Sequence, residues 1–152
     1  MRVFRIAKKQ YIDDLNGIGA KTVGGRWNAK GIAILYTSTS AALSILEVLA
    51  HLPVAFFPED MAIATIEVPD KYIGSFSKET LPKHWDKIPP PIENHDFTMD
   101  WINQQKFVGF KVPSIIIPKE QNLLINPNHP NFKSVKIVEI EPFNFDSRLL
   151  KI

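Results

Sequence analysis

The sequence has no cysteine among its 152 residues. This absence excludes a disulfide framework, a thiolate zinc site and a cysteine nucleophile, and it is compatible with a reducing cytosol. An excess of charge of one sign is also missing, because 18 basic and 16 acidic side chains leave a net charge of only +2. The strongly basic surface expected of a general nucleic-acid binder is therefore absent, and no direct nucleic-acid partner is expected.

Long hydrophobic runs and clustered metal ligands are missing as well. The most apolar stretch, residues 41–57, is interrupted by Glu47, His51 and Pro53 and is shorter than a membrane-spanning helix of about 20 residues. The N-terminal stretch does not resemble a secretion signal. The histidines lack the spacing of a metal cluster, so no metal site is expected. These features predict a cytoplasmic protein without a membrane partner.

The length and the pattern of apolar residues predict one α+β domain over residues 1–152. Apolar residues recur at helical spacing from Ala41 to His51, where Ser38, Thr39 or Ser40 can cap the start and Pro53 prevents a long continuation. A second, short helix is predicted within residues 96–105, opened by Asp96 or Thr98.

Strands and loops are predicted around these two helices. Short apolar runs predict strands near residues 3–6, 31–38 and 61–69, and most of the chain beyond residue 107 is predicted to be sheet. Residues 11–28 form a polar excursion that holds four of the seven glycines and predicts a long loop. The poorly patterned, proline-rich segment that follows the strand at 61–69 and runs through residues 89–95 is predicted to lie on the surface.

Two charged residues are anomalous in their surroundings. Glu47 lies in an otherwise apolar helical pattern, which predicts a half-buried carboxylate. Arg26 follows two glycines that permit close approach of a ligand, and its planar guanidinium suits phosphate or carboxylate. The alternatives are structural: Glu47 can pair with a nearby cation at the edge of the apolar stripe, and Arg26 can form a salt bridge in a tight turn.

Several uncharged residues are weaker candidates. Trp27 and Tyr36 can stack on a ring, although aromatic residues beside strands more often belong to the core. Ser114 offers a hydroxyl beside an apolar run, where most serines satisfy backbone groups. The amides and prolines of "NLLINPNHPNF" predict a rigid corner in which Asn126 and His129 are the polar candidates.

Five segments together resemble the RES domain family: "GGRWN", "ILYTSTSAALSILEVLAHL", "VPSIIIP", "NLLINPNHPNF" and "FNFDSRLL". The resemblance runs through nearly the whole chain with the motifs in the expected order. It places the family's arginine at Arg26, its tyrosine at Tyr36, its glutamate at Glu47 and its serine at Ser114. These residues, with Asn126, are the predicted site: Arg26 and Glu47 as catalytic residues, and Arg26, Tyr36, Ser114 and Asn126 as binding residues.

The resemblance implies a toxin of a RES-Xre type II toxin-antitoxin system with a fold like that of the ADP-ribosyltransferases. Such a fold has two small packed β-sheets with NAD bound in the cleft between them. The implied activity is cleavage of the nicotinamide-ribose bond of NAD by hydrolysis or phosphorolysis. The implied partner is an Xre-type antitoxin. The resemblance leaves open whether the chain forms a homodimer within that complex. The alternatives are ADP-ribosylation of a specific protein and a non-catalytic nucleotide-binding module.

Trp27 and Asn28 are expected to support Arg26 within this cleft. Trp27 is expected to anchor the arginine loop, residues 24–31, in the core without contacting a ligand, and Asn28 to brace the turn through its amide.

Overall fold

The computed structural model describes residues 1–51, 59–76 and 78–150. Within them the chain forms a mixed sheet and three α-helices. The strands are β1 (Arg2–Lys8), β2 (Leu35–Ser38), β3 (Met61–Glu67), β4 (Ile73–Ser75), β5 (Gly109–Pro113), β6 (Gln121–Ile125) and β7 (Lys136–Phe143). The helices are α1 (Ile18–Val23), α2 (Ala41–His51) and α3 (Glu93–Gln104).

The sheet has the strand order β4-β5-β6-β2-β1-β3-β7. Its neighbouring strands are antiparallel except for the parallel pair β4 and β5. β1 pairs with β3 along its whole length, whereas its register with β2 consists of the single pair Phe4 and Ser38. The sheet therefore has two well-paired halves that meet at a narrow junction.

This architecture confirms the predicted α+β class and changes one detail of it. Two separate packed sheets were expected, and the structure instead has one sheet, because Phe4 and Ser38 bridge the halves. On either side of that bridge β1 and β2 have no further register partners with each other. The divergence of the two strands leaves room for a cleft in the place where the resemblance implied one.

α2 has the bounds that its apolar spacing predicts. Ser40 caps the first turn, because its Oγ accepts a hydrogen bond from the Leu43 amide at 3.1 Å. Leu43 and Ser44 are the buried residues of the helix, which packs against β1 and β2. The predicted ending near Pro53 lies outside the described residues, as does the rest of the apolar run from residue 52 to 57.

Other elements differ from the prediction for local reasons. α1 lies within the segment that was expected to be a loop; it is six residues long and buries none of them, so it has no apolar stripe to reveal it. α3 begins at Glu93, earlier than Asp96 or Thr98, without a side-chain cap. β4 was missed because it contains only three residues, and β2 starts at Leu35, later than its apolar run.

The apolar core has two clusters that pack around the sheet. One joins β1, β3 and parts of β2 and β6 through Val3, Leu35, Ala64, Ile66 and Leu123. The other joins the arginine loop, α3, β5 and β6 through Trp27, Trp101, Phe110 and Leu124. No helix in the described ranges is long and apolar enough to cross a membrane.

Candidate active site

A cavity of about 680 Å³ opens beside the narrow junction of β1 and β2. This volume is within the range of about 300–1,000 Å³ that is usual for small-molecule and cofactor sites. Its wall is formed by β1, β2, the turns around α1, one face of α2 and the ends of β5 and β6. The polar side chains on that wall include Arg26, Tyr36, Ser38, Ser44, Glu47 and Asn122.

Arg26 is held by backbone carbonyls of a segment that is distant in sequence. Its Nη1 donates to the carbonyl oxygen of Trp85 at 2.9 Å and to that of Lys87 at 2.8 Å. Nη1 supplies two of the five N–H donors of a guanidinium, and the Nε and Nη2 donors have no hydrogen-bond partner among the described residues. Partial burial lowers the pKa of Arg26, while the negative charges of Asp86 and then Glu47 oppose that shift. The guanidinium is therefore within electrostatic reach of Glu47.

Tyr36 links β2 to the arginine loop. Its Oη donates to Asn28 Oδ1 at 2.7 Å and accepts from the Trp27 amide at 3.1 Å. Burial raises the pKa of Tyr36, so the phenol is neutral and can donate. A Cβ on Gly25 would lie 2.7 Å from Oη and 2.9 Å from Asn28 Oδ1, so the loop needs a glycine there to approach the tyrosine.

Asn28 is the brace of this turn. It is buried, and its Nδ2 donates to the carbonyl oxygens of Ala20 and Ile32 at 2.9 Å each. Trp27 is also buried and stacks on Trp85 with the ring centroids 5.8 Å apart. Both residues therefore have the supporting contacts that were expected of them.

Glu47 is half-buried on α2 and faces the cavity. Its Oε1 accepts hydrogen bonds from Ser114 Oγ at 2.9 Å and from Asn122 Nδ2 at 2.6 Å. In the described ranges Oε2 has no hydrogen-bond partner and Glu47 forms no salt bridge. The structural alternative was a salt bridge between Glu47 and a nearby cation. In the described ranges two neutral donors on one oxygen take its place.

Ser114 is fully buried directly after β5. While its hydroxyl donates to Glu47, its Oγ accepts from the amides of Ile116 and Ile117 at 3.0 and 3.1 Å. The hydroxyl proton and both lone pairs are thereby used. Ser114 thus ties the turn after β5 to the Glu47 carboxylate.

Asn126 is separate from the other predicted site residues. It is buried after β6, and its Oδ1 accepts from the Asn128 amide at 3.0 Å. In the same corner the Nε2–H of buried His129 donates to the Gln105 carbonyl at 2.8 Å, and Nδ1 accepts from the Asn131 amide at 3.0 Å. The segment forms the corner that its amides and prolines predicted, held by these hydrogen bonds, and Asn126 is not part of the cavity wall.

Comparison with known proteins decides the family. The sequence profile of the RES domain matches residues 2–146, which include all five predicted site residues. The chain belongs to the RES domain family. The "Prs ADP-ribosylating toxin" of Sphingobium sp. (strain YBL2) is 39% identical to it over 153 residues, covering 99% of this chain and 95% of that protein.

Two further comparisons agree with this membership. The "Toxin Res" of Yersinia enterocolitica is 34% identical to this RES domain over 152 residues, covering 98% of this chain and 99% of the relative. The crystal structure of the M. tuberculosis MbcT-MbcA toxin-antitoxin complex has the same fold, with a TM-score of 0.74. That similarity covers 98% of this chain and 86% of the other at 16% sequence identity, so it concerns the fold alone.

Two parts of the candidate site have little or no signal in the sequence. Asn122, a donor to Glu47, lies opposite Ser38 in the pairing of β6 with β2. The available signal was the polar amide of Asn122 beside the apolar residues of β6. The carbonyls of Trp85 and Lys87 had no such signal, because any residue supplies a carbonyl. Among the described residues no group of histidine, aspartate and glutamate side chains could hold a metal ion.

Proposed function

We propose that this RES domain protein is a cytoplasmic toxin of a type II toxin-antitoxin pair and that it cleaves the nicotinamide-ribose bond of NAD. The observation that carries the proposal is the Glu47 carboxylate on the cavity wall. Two neutral donors fix its Oε1, while Oε2 has no partner among the described residues. A carboxylate with one fixed and one available oxygen suits the stabilisation of a cationic sugar.

The chemistry requires such a group. When nicotinamide departs with the bonding electron pair, positive charge develops on the ribose C1 and the ring oxygen, as in glycoside cleavage. A carboxylate that is already oriented stabilises this transition state more than the neutral-ribose ground state. Glu47 serves this role, and its available oxygen can also accept a hydrogen bond from a ribose hydroxyl.

The other residues bind and orient the substrate. The Nε and Nη2 donors of Arg26 suit the NAD pyrophosphate, because charge-assisted hydrogen bonds to phosphate are strong and directional. Tyr36 lines the same cavity, where its ring packs against nicotinamide or ribose. We assign Ser114 to holding Glu47 in place, since its own hydrogen-bonding capacity is used, and Asn126 to the corner after β6.

The group that captures the ribose cation distinguishes the possible reactions. Water gives free ADP-ribose, inorganic phosphate gives a phosphorylated ADP-ribose, and a protein side chain gives an ADP-ribosylated partner. In each case the bond from C1 to the nicotinamide nitrogen breaks and a bond from C1 to the acceptor forms. Water or a protonated side chain gives up a proton on capture, whereas a phosphate dianion attacks through an oxygen that is already anionic. The name of the 39% identical relative, an ADP-ribosylating toxin, favours the protein acceptor as the second candidate.

An antitoxin is the proposed partner. The support is the shared fold with a toxin whose structure was determined with its antitoxin. We propose that the antitoxin is of the Xre type and covers the cleft. We also propose that the toxin can form a homodimer within the complex.

Product analysis tests this function. Purified protein is incubated with NAD, with and without inorganic phosphate, and nicotinamide and the ADP-ribose product are separated and quantified. We expect nicotinamide release in amounts equal to the ADP-ribose product. A parallel incubation with cell extract and labelled NAD shows whether the label transfers to a protein.

The contrary result is saturable NAD binding in calorimetry without nicotinamide release under any of these conditions. That outcome would replace the enzyme with the non-catalytic nucleotide-binding module.

A further inference from the structure

The backbone around Arg26 is fixed on both sides of the residue. The Gly25 carbonyl, which precedes the Arg26 nitrogen, accepts from His95 Nε2–H at 3.0 Å. The Trp27 amide, which follows the Arg26 carbonyl carbon, donates to Tyr36 Oη at 3.1 Å. Both peptide units that flank the arginine are therefore held by side chains from other elements.

The guanidinium is held at its far end by two carbonyls, and the helix that supplies His95 also contacts one of them. The Trp85 carbonyl that accepts from Arg26 Nη1 also accepts from Asn94 Nδ2 at 2.9 Å. A carbonyl oxygen has two lone pairs, so it can accept both bonds at once. Asn94 thus sets the position of the oxygen against which the arginine head group rests.

Asn94 and His95 are consecutive residues in the first turn of α3. The helix is fixed by its buried face, which includes Asn94, Thr98 and Trp101 and adjoins the cluster around Phe110. Because α3 is anchored in the core, its side chains can hold the arginine region in place at two points. One point is the backbone before Arg26, and the other is the carbonyl beneath its guanidinium.

Asn94 has a buried oxygen that lowers the stability of the fold, which indicates that its Nδ2 donor has a role. The side chain is fully buried, and its Oδ1 has no hydrogen-bond partner among the described residues. A buried acceptor without a partner is destabilising, whereas an apolar residue of similar size would avoid that cost. The bond from Nδ2 to the Trp85 carbonyl is what an apolar residue could not supply.

We propose that Asn94 and His95 are positioning residues that preorganise Arg26 for the anionic part of the substrate. The proposal deepens the NAD-cleaving function and rests on it. The Nε and Nη2 donors of Arg26 reach a pyrophosphate in one orientation only if the opposite edge of the guanidinium is fixed. Loss of either positioning residue lets the side chain rotate away without removing its charge.

The kinetic test uses His95, which is half-buried and less costly to replace than Asn94. We expect His95→Ala to raise the KM for NAD roughly five- to tenfold, the effect of losing one hydrogen bond, while kcat changes less than about twofold. His95→Gln keeps a donor at similar reach and should restore KM. Asn103→Ala, an exposed change on the same helix, is the matched control.

A spectroscopic test does not depend on turnover. The Nε–Hε resonance of Arg26, assigned from its disappearance in Arg26→Ala, is followed by ¹⁵N NMR in each variant. We expect it to shift or broaden in His95→Ala and to return in His95→Gln, with Asn103→Ala unchanged.

The outcomes separate the two proposals. A wild-type protein that releases no nicotinamide overturns the proposed function, while the NMR comparison still decides whether α3 positions Arg26. An unchanged Arg26 resonance in His95→Ala, or a lower melting temperature with unaltered KM, would overturn the positioning role.

Discussion

Glu47 has different surroundings at its two carboxylate oxygens. Oε1 receives both hydrogen bonds, from a serine after β5 and from an asparagine on β6, and Oε2 has none within the described residues. Two strands and one helix thus meet at a single oxygen atom. Two neutral donors orient the carboxylate and leave its negative charge uncompensated. A salt bridge would instead place a cation against that charge.

Replacement of one donor by an acid tests this arrangement. In Asn122→Asp a second carboxylate stands where the amide contacts Oε1 at 2.6 Å. Because two carboxylates that share a site repel each other and an aspartate has no N–H to donate, Oε1 loses a hydrogen bond that orients it. We expect the kcat for NAD cleavage to fall by roughly tenfold or more, the effect of losing a hydrogen bond to a charged group.

The measurement is kcat for nicotinamide release from NAD. Asn103→Asp, which adds the same charge at an exposed position of α3, is the control and should keep the wild-type kcat. An Asn122→Asp variant with wild-type kcat would show that the hydrogen bond to Glu47 Oε1 is not needed for cleavage.

At the scale of the element, the arginine loop depends on close approach to β2. Gly25 is the contact point, where an added Cβ would lie 2.7 Å from Tyr36 Oη. We expect Gly25→Ala to displace the tyrosine, lower the free energy of unfolding by about 1–3 kcal/mol and raise the KM for NAD. Chemical denaturation and steady-state kinetics measure the two effects.

Gly19 in α1 provides the opposite case. A Cβ there meets nothing within 4 Å, so Gly19→Ala should stabilise the protein by about 0.5–1 kcal/mol through helix propensity. Equal stability of the two alanine variants would contradict the assigned contact between Gly25 and Tyr36.

The elements also differ in how far the sequence predicts them. α2 was predicted with its observed bounds because Leu43, Leu46 and Leu49 recur at helical spacing and Ser40 can cap the start. α1 was not, because a helix without a buried residue leaves no periodic signal. The continuity of the sheet was also beyond prediction, since it depends on the single register pair of Phe4 with Ser38.

The candidate site was predictable where a residue type is unusual for its place. A carboxylate in an apolar helix and an arginine after two glycines made Glu47 and Arg26 the main candidates. Tyr36 and Ser114 were weaker candidates that the family resemblance grouped with them. The partners of Arg26 are backbone carbonyls of a segment about sixty residues away, which carry no sequence signature. That segment was expected only to lie on the surface, yet Trp85 in it stacks on Trp27.

At the scale of the whole molecule, neighbouring residues in one loop serve stability and function separately. Both residues line the cavity, but Trp27 is 3% exposed and joins the core cluster of α3, β5 and β6, whereas Arg26 is half-buried. We expect Trp27→Ala to cost about 3–5 kcal/mol of unfolding free energy. Arg26→Ala should cost no more than about 1 kcal/mol, because its partners are partly exposed carbonyls that water can satisfy.

Denaturant unfolding and NAD turnover of both variants check this division. Arg26→Ala should stay folded with little turnover. A fully active Arg26→Ala, or a Trp27→Ala as stable as the wild type, would contradict it.

Glu47 is proposed to provide the negative charge that promotes cleavage of NAD. Nicotinamide release by Glu47→Gln tests it most directly, since glutamine preserves the volume and removes the charge. Glu141→Gln, an exposed change on β7, controls for the loss of one acidic group. We predict at least a hundredfold lower kcat in Glu47→Gln at an unchanged melting temperature, in line with the loss of about 3 kcal/mol of transition-state stabilisation. Wild-type kcat in that variant would contradict the account.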